Sequence, residues 1–103
     1  LYLVRHAIAE PRGEDWPDDS LRPLTDRGRK RMRSIAQHLS ARGVEVERVL
    51  TSPLVRARQT ADLLAPLWAR GATPRVVDAL APGVAPARVA GALRAHAGAG
   101  PLC

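Results

Sequence analysis

An amphipathic stretch of about five helical turns, from Thr25 to Gly43, separates two short apolar runs, residues 2–7 and 48–52. No other feature constrains the fold as much. Two strands joined by so long a crossover pair in parallel, and the connection between them is right-handed. Ligands of such sheets gather at the carboxyl ends of the strands. The first run, Tyr2-Leu3-Val4-Arg5-His6-Ala7, reads as a short buried strand that ends in a cation and an imidazole. An Arg-His pair alone is weak evidence, because all sixteen cationic residues but Lys30 are arginine. Chance would supply the dipeptide roughly 0.4 times in such a chain.

The helical stretch has its own punctuation. Thr25 is placed to cap it, Asp26 favours the first turn, and Gly43 offers the stop. At about 100° per residue, Met32, Ile35, Ala36 and Leu39 share one arc, as in a helix packed on a sheet. Arg27, Arg29, Lys30, Arg31 and Arg33 take up the rest of the wheel, a pattern expected of a solvated face. Ahead of the helix, residues 10–20 are rich in Pro, Gly and acids and form a long loop, with Trp16 as its hydrophobic pin.

Ser52-Pro53 opens a second helix, with serine as cap and proline in the first turn. Thr60, Leu63, Leu64 and Leu67 form its inward arc, and Arg56 falls in the middle of that arc while Arg58 points away. A cation on a core-facing stripe is costly unless it is paired, reaches past the helix end or meets an anion. Arg56 lies in the first turn and is expected to reach the strand tips beside Arg5 and His6. Pro66 cannot donate to the carbonyl of Asp62, so a kink or an early end is expected near Leu64. Residues 75–78 read as a third strand, Leu80-Ala81-Pro82-Gly83 as a loop, and residues 86–97 as an Ala-rich third helix with Val89 and Leu93 facing in. His38 and His96 read as surface imidazoles.

Two guanidiniums and an imidazole at one end of a parallel sheet suit phosphoryl transfer. Arginine forks bind phosphoryl oxygens in pairs and keep their charge at any relevant pH. Two nearby cations favour the neutral, nucleophilic form of His6. The chain has no Gly-rich phosphate loop and no clustered Asp pair for magnesium, so a nucleotide-driven kinase is a poor fit and a metal-free, cofactor-free phosphatase or mutase a better one. One cysteine excludes an internal disulfide and a Cys-rich zinc site and fits a reducing cytoplasm. No apolar run approaches the ~20 residues needed to cross a bilayer. The net charge of +6 has two readings, an Arg-rich coding preference or a surface for phosphate or nucleic acid. An aromatic content of 3% leaves little for base stacking, which makes a nucleic-acid module on the face of Arg27 to Arg33 the remote alternative, and no nucleic-acid or membrane partner is expected.

Three motifs carry a family resemblance: Leu3-Val4-Arg5-His6-Ala7, Leu24-Thr25-Asp26-Arg27-Gly28, and Thr51-Ser52-Pro53-Leu54-Val55-Arg56-Ala57-Arg58-Gln59-Thr60-Ala61. They resemble the leading motifs of the histidine phosphatase, or phosphoglycerate mutase-like, superfamily. The run Asp19-Ser20-Leu21-Arg22-Pro23-Leu24-Thr25 and the loop at residues 80–83 resemble its small bacterial branch, the SixA-type phosphohistidine phosphatases. The resemblance implies a three-layer α/β/α fold with a mainly parallel sheet, and one domain over residues 1–103. It implies that His6 is the phosphorylated nucleophile, that Arg5 and Arg56 clamp the phosphate, and that Arg22 faces the pocket. It also implies a substrate that is a phosphorylated protein, such as a histidine phosphotransfer or phosphocarrier domain. A small-molecule phosphomonoester phosphatase or mutase is the alternative.

Two departures stand out. Ala7 replaces the family's usual glycine, which requires that φ there not be strongly positive. The family's second catalytic histidine follows a later strand, and neither His38 nor His96 matches its motif. With Pro101-Leu102-Cys103 reading as the start of a strand, the chain is expected to be the N-terminal part of a longer domain and inactive or nearly so by itself. The general acid is unassigned, Asp78 being the one candidate in a comparable place.

Overall fold

The structure is a computed structural model, and it describes residues 2–70 and 72–96. Three helices surround a small parallel sheet: α1 (Asp26–Ala41), β1 (Leu50–Thr51), α2 (Val55–Trp68), β2 (Arg75–Val76) and α3 (Pro86–His96). Short 3-10 turns at Asp19–Leu21 and Asp78–Leu80 complete the order. β1 and β2 pair in parallel with Leu50 opposite Arg75 and Thr51 opposite Val76, and α2 is the crossover between them.

α1 starts and stops where its punctuation requires. The Thr25 hydroxyl accepts the Gly28 N–H at 2.8 Å, and Gly43 takes φ +95° just beyond the last turn, a conformation that glycine adopts without steric cost. Of the expected arc, Ala36 is buried and Met32 and Leu39 are half-buried, but Ile35 is 43% exposed. The core is therefore narrower on α1 and wider on α2. Ala36, Val46, Val49, Ala61, Leu64, Ala65, Trp68 and Ala69 form its buried cluster.

α2 corrects two expectations. It begins at Val55, not at Pro53, because Ser52 spends its hydroxyl on the N–H of Leu54 at 3.1 Å, ahead of the first helical residue. It also runs through Pro66 to Trp68 instead of ending near Leu64. Proline in a helix interior costs about 3 kcal/mol. Leu64, Ala65 and Trp68 are all buried around it, and the Trp68 indole donates to the Ala36 carbonyl at 3.1 Å. Burying large apolar side chains contributes about 1.5–3 kcal/mol each, enough to carry the helix across the proline.

The first strand is the other correction. Residues 2–8 join no ladder, and Tyr2, Leu3 and Val4 are 46%, 86% and 42% exposed, so the segment is not a strand and only its end, at Ala7, is buried. The parallel partner of β1 is β2, not this segment. The ladder of β1 is extended toward β2 by Arg75 N–H to Val49 O and Val77 N–H to Thr51 O. The opening segment commits its own groups elsewhere: Ala7 N–H to the Thr60 hydroxyl, Ile8 O to Thr25 N–H, and Glu10 N–H to Pro23 O. These bonds, with an isolated antiparallel bridge between Ala9 and Leu24, hold the segment against α1 and α2. The third strand ends at Val76, with Asp78 already in the following turn. The strand expected from Pro101 and the last residue of the expected third helix, Ala97, lie outside the described residues.

Gly28 is where this docking is tightest. It is buried in the first turn of α1, and a Cβ there would run into the Ile8 carbonyl oxygen. Gly91 on α3 has open space around it. Gly28→Ala is expected to destabilise the chain by about 1–3 kcal/mol through overpacking, whereas Gly91→Ala is expected to gain up to about 1 kcal/mol of helix propensity. Denaturant titration of the two variants checks both signs.

Candidate active site

Arg56 is the buried cation that α2 brings to the site. It is 5% exposed, and a guanidinium so placed requires an acceptor. Asp19 supplies two: Arg56 Nη1 donates to its carbonyl oxygen at 2.8 Å and Nη2 to Oδ2 at 3.0 Å. Arg22, 8% exposed, reaches the same carboxylate from the other side, its Nε donating to Oδ1 at 2.9 Å while Nη1 donates to the Glu10 carbonyl at 2.8 Å. Asp19 is presented by the 3-10 turn, which is capped by the Asp18 carboxylate accepting from the Ser20 N–H at 3.0 Å and the Ser20 hydroxyl at 2.6 Å. The hydrogen bond from Arg22 is the largest influence holding the Asp19 carboxyl below its ordinary pKa of 3.8; burial opposes it, and the hydrogen bond and charge of Arg56 reinforce it.

His6 is half-buried at the end of the opening segment. Its Nδ1 lies 2.7 Å from the Ala7 carbonyl oxygen. A carbonyl only accepts, so Nδ1 carries the proton of this bond, and in the neutral ring Nε2 is then the bare nitrogen. A short chain of hydrogen bonds ties this imidazole to the arginine. Ala7 N–H donates to the Thr60 hydroxyl at 3.0 Å, and that hydroxyl donates to the Arg56 carbonyl at 2.8 Å, one helical turn back. Among the described residues no non-glycine residue has positive φ, so Ala7 fits the place of a glycine without backbone strain. Beside His6 lies a cavity of about 280 Å³, apolar along Tyr2, Leu50, Leu64, Val89 and Leu93, with Thr51, Ser52 and Thr60 as polar lining.

The expected site residues are thus only partly gathered. Arg22 and Arg56 share one carboxylate, and Thr60 joins the Arg56 carbonyl to the backbone N–H of Ala7, the residue after His6. Arg5 is exposed and makes none of these contacts. Asp78 and His38 are exposed, and His96 is the last residue of α3. Trp16 is half-buried, its N–H donating to Gly13 O at 3.1 Å. On α1, Arg29 pairs with Asp26 at 3.0 Å, and Arg27, Lys30, Arg31 and Arg33 are exposed. Among the described residues no three His, Cys, Asp or Glu side chains gather to hold a metal ion.

Sequence reasoning missed Asp19, Thr60 and Gln59 as site-building groups. Gln59 Oε1 accepts the Leu24 N–H at 2.8 Å and so fastens the end of the loop to α2. The signal for Asp19 was present: a cation on an inward stripe demands an anion, and residues 10–20 hold five of the ten acidic residues of the chain.

Comparison with known proteins follows this geometry. The model of the histidine phosphatase superfamily (branch 1) matches residues 1–81. An uncharacterized protein of Picosynechococcus sp. is 48% identical over 82 residues, which are 80% of this chain and 48% of that protein. Phosphohistidine phosphatase SixA of Escherichia coli is 43% identical over 60 residues, 58% of this chain and 35% of that protein. Among solved structures, the protein histidine phosphatase SixA complexed with tungstate superposes with a TM-score of 0.73 at 33% identity, covering 87% of this chain and 56% of that one. The chain spans about half the length of the relatives it matches, or less.

The depressed pKa of Asp19 has a consequence for stability. The folded chain gives up this proton more readily than the unfolded one, whose aspartate titrates near 3.8. The stabilising contribution is whole above that pH and is lost as the pH falls below it, through the lower folded-state value. Denaturant midpoints measured from about pH 6 to about pH 3 are expected to fall more steeply for the native sequence than for Asp19→Asn. Equal slopes would mean that the two arginines do not hold the carboxylate.

Proposed function

Because the chain belongs to the histidine phosphatase superfamily, we propose that it forms part of a phosphatase that takes the phosphoryl group from a phosphohistidine on a protein, by way of a phosphohistidine on His6. The observation that carries this reading is the commitment of His6 Nδ1–H to the Ala7 carbonyl, which turns Nε2 into the free nitrogen of a ring tied to a buried arginine. In the first step Nε2 of His6 attacks phosphorus. Its bond to phosphorus forms as the bond from phosphorus to the substrate imidazole nitrogen breaks, and the substrate nitrogen leaves with the electron pair and takes a proton from solvent water. In the second step water attacks phosphorus, His6 recovers its lone pair, and inorganic phosphate departs. The guanidiniums of Arg5, Arg22 and Arg56 balance the charge on the phosphoryl oxygens throughout. Arg5, exposed in this structure, is proposed to turn onto the phosphate when it binds.

The SixA relative's name supports a phosphohistidine substrate, and the loop at residues 10–23 leaves the opening segment accessible to a protein such as a phosphotransfer or phosphocarrier domain. We propose that the reaction needs neither metal nor cofactor, and that it takes place in the cytoplasm; among the described residues no helix is long and apolar enough to cross a membrane. The 103 residues alone are proposed to be inactive or nearly so, since the other two histidines, exposed His38 and His96 at the end of α3, stand in no catalytic motif.

Mixing the full-length protein, of which this chain is proposed to form part, with a phosphocarrier protein labelled on histidine is expected to transfer label to His6 as an acid-labile, base-stable phosphoenzyme. His6→Ala is expected to abolish both the label and turnover. Turnover that survives His6→Ala would sink the reading, and a preference for sugar phosphates over phosphohistidine proteins would move it to a small-molecule phosphatase or mutase.

A further inference from the structure

The two buried arginines spend their hydrogen bonds unequally. Arg22 places Nε on Asp19 and Nη1 on Glu10. Arg56 gives both Nη atoms to Asp19, and its Nε–H is buried without any partner among the described residues. A guanidinium has five N–H bonds, so after these contacts the Nε–H and the second hydrogen of Nη2 remain able to donate together. That pair is the fork that grips two oxygens of a phosphoryl group. An unsatisfied N–H on a buried cation is costly, and such an orphan is a common mark of a site that awaits an acceptor. Through two hydrogen bonds Thr60 joins this arginine's carbonyl to the N–H of Ala7, the residue following His6.

Resting on the phosphohistidine reading, we propose that Asp19 is a positioning residue: by holding the Nη side of Arg56 and the Nε of Arg22, it presents the Nε edge of Arg56 to the phosphoryl group carried by His6. Asp19 touches neither the substrate nor the reacting atoms. Its place between two guanidiniums keeps it ionised, which makes it a poor proton donor and separates it from the general acid. Its single charge also offsets one of the two buried cations, so the arginines can approach each other while leaving a net positive charge for the phosphate.

Two measurements test the proposal: binding of inorganic phosphate to this chain, and steady-state turnover of a phosphohistidine protein by the full-length protein of which it is proposed to form part. Asp19→Ala is expected to weaken phosphate binding and to lower kcat by roughly 10- to 100-fold, the loss that misplacement of a positioned group causes. Asp19→Asn keeps an acceptor oxygen and is expected to recover part of that loss. Asp19→Ala is expected to cost less phosphate affinity in the Arg56→Ala background than in the native chain, because Asp19 acts mainly through Arg56. A merely structural role would instead add its loss to that of Arg56→Ala. If Asp19→Ala does not fold by circular dichroism, Asp19→Asn carries the same cycle. Tighter phosphate binding without the carboxylate, or additive losses, would overturn the proposal; tighter binding would make Asp19 a competitor for the clamp. The phosphate cycle needs no phosphoryl transfer, so it still judges Asp19 if the native protein proves unable to dephosphorylate phosphohistidine.

Discussion

A guanidinium buried in the first turn of α2 sets the terms for everything around it. Arg56 has no apolar way to satisfy its charge, and the carboxylate that satisfies it comes from a loop thirty-seven residues earlier in the chain. Pairing with Asp19, whose side chain keeps 48% of its surface exposed, fixes the 3-10 turn and with it Arg22, whose own guanidinium closes on Glu10 at the start of the loop. A stretch rich in Pro, Gly and acids, which would otherwise have little apolar surface to bury, is thereby fixed by charge and by main-chain acceptors. Removing the carboxylate leaves two buried cations short of an acceptor, which is costlier than losing a surface ion pair.

His6, the proposed nucleophile, depends on the same helix. Arg56 contributes its side chain to Asp19 and its carbonyl to Thr60, and Thr60 in turn holds the backbone of Ala7. One helical turn of α2 therefore fixes both the cation and the residue next to His6, without any sheet ladder in the opening segment. The imidazole is oriented by the nearest carbonyl available, that of Ala7, and this local bond decides which nitrogen is free. Order in this site comes from side-chain to backbone bonds in a region where sheet pairing is absent among the described residues.

Sequence patterns revealed α1, its cap and its stop, because those are set by local chemistry at Thr25, Asp26 and Gly43. They also placed Arg56 inward, since helix phase is a property of the chain alone. What they missed was decided by competition between distant groups. The opening run has the composition of a buried strand, but Thr60, Pro23 and Thr25 claim its backbone partners and β2 takes the place beside β1. Pro66 is a local stop signal overruled by the burial of Leu64, Ala65 and Trp68 around it. Asp19 was legible as an acid in a loop, but its pairing with two arginines depends on how the loop folds back, which no local pattern encodes.

The account stands on Nε2 of His6 as the atom that accepts the phosphoryl group. Nuclear magnetic resonance of the protein carrying nitrogen-15 histidine, phosphorylated by excess of a small phosphoramidate and read through phosphorus–nitrogen coupling, tests this most directly. The hydrogen bond from Nδ1 to the Ala7 carbonyl predicts a single phosphorus bonded to Nε2 of His6. Phosphorus on Nδ1 of His6, or on His38 or His96, would contradict it.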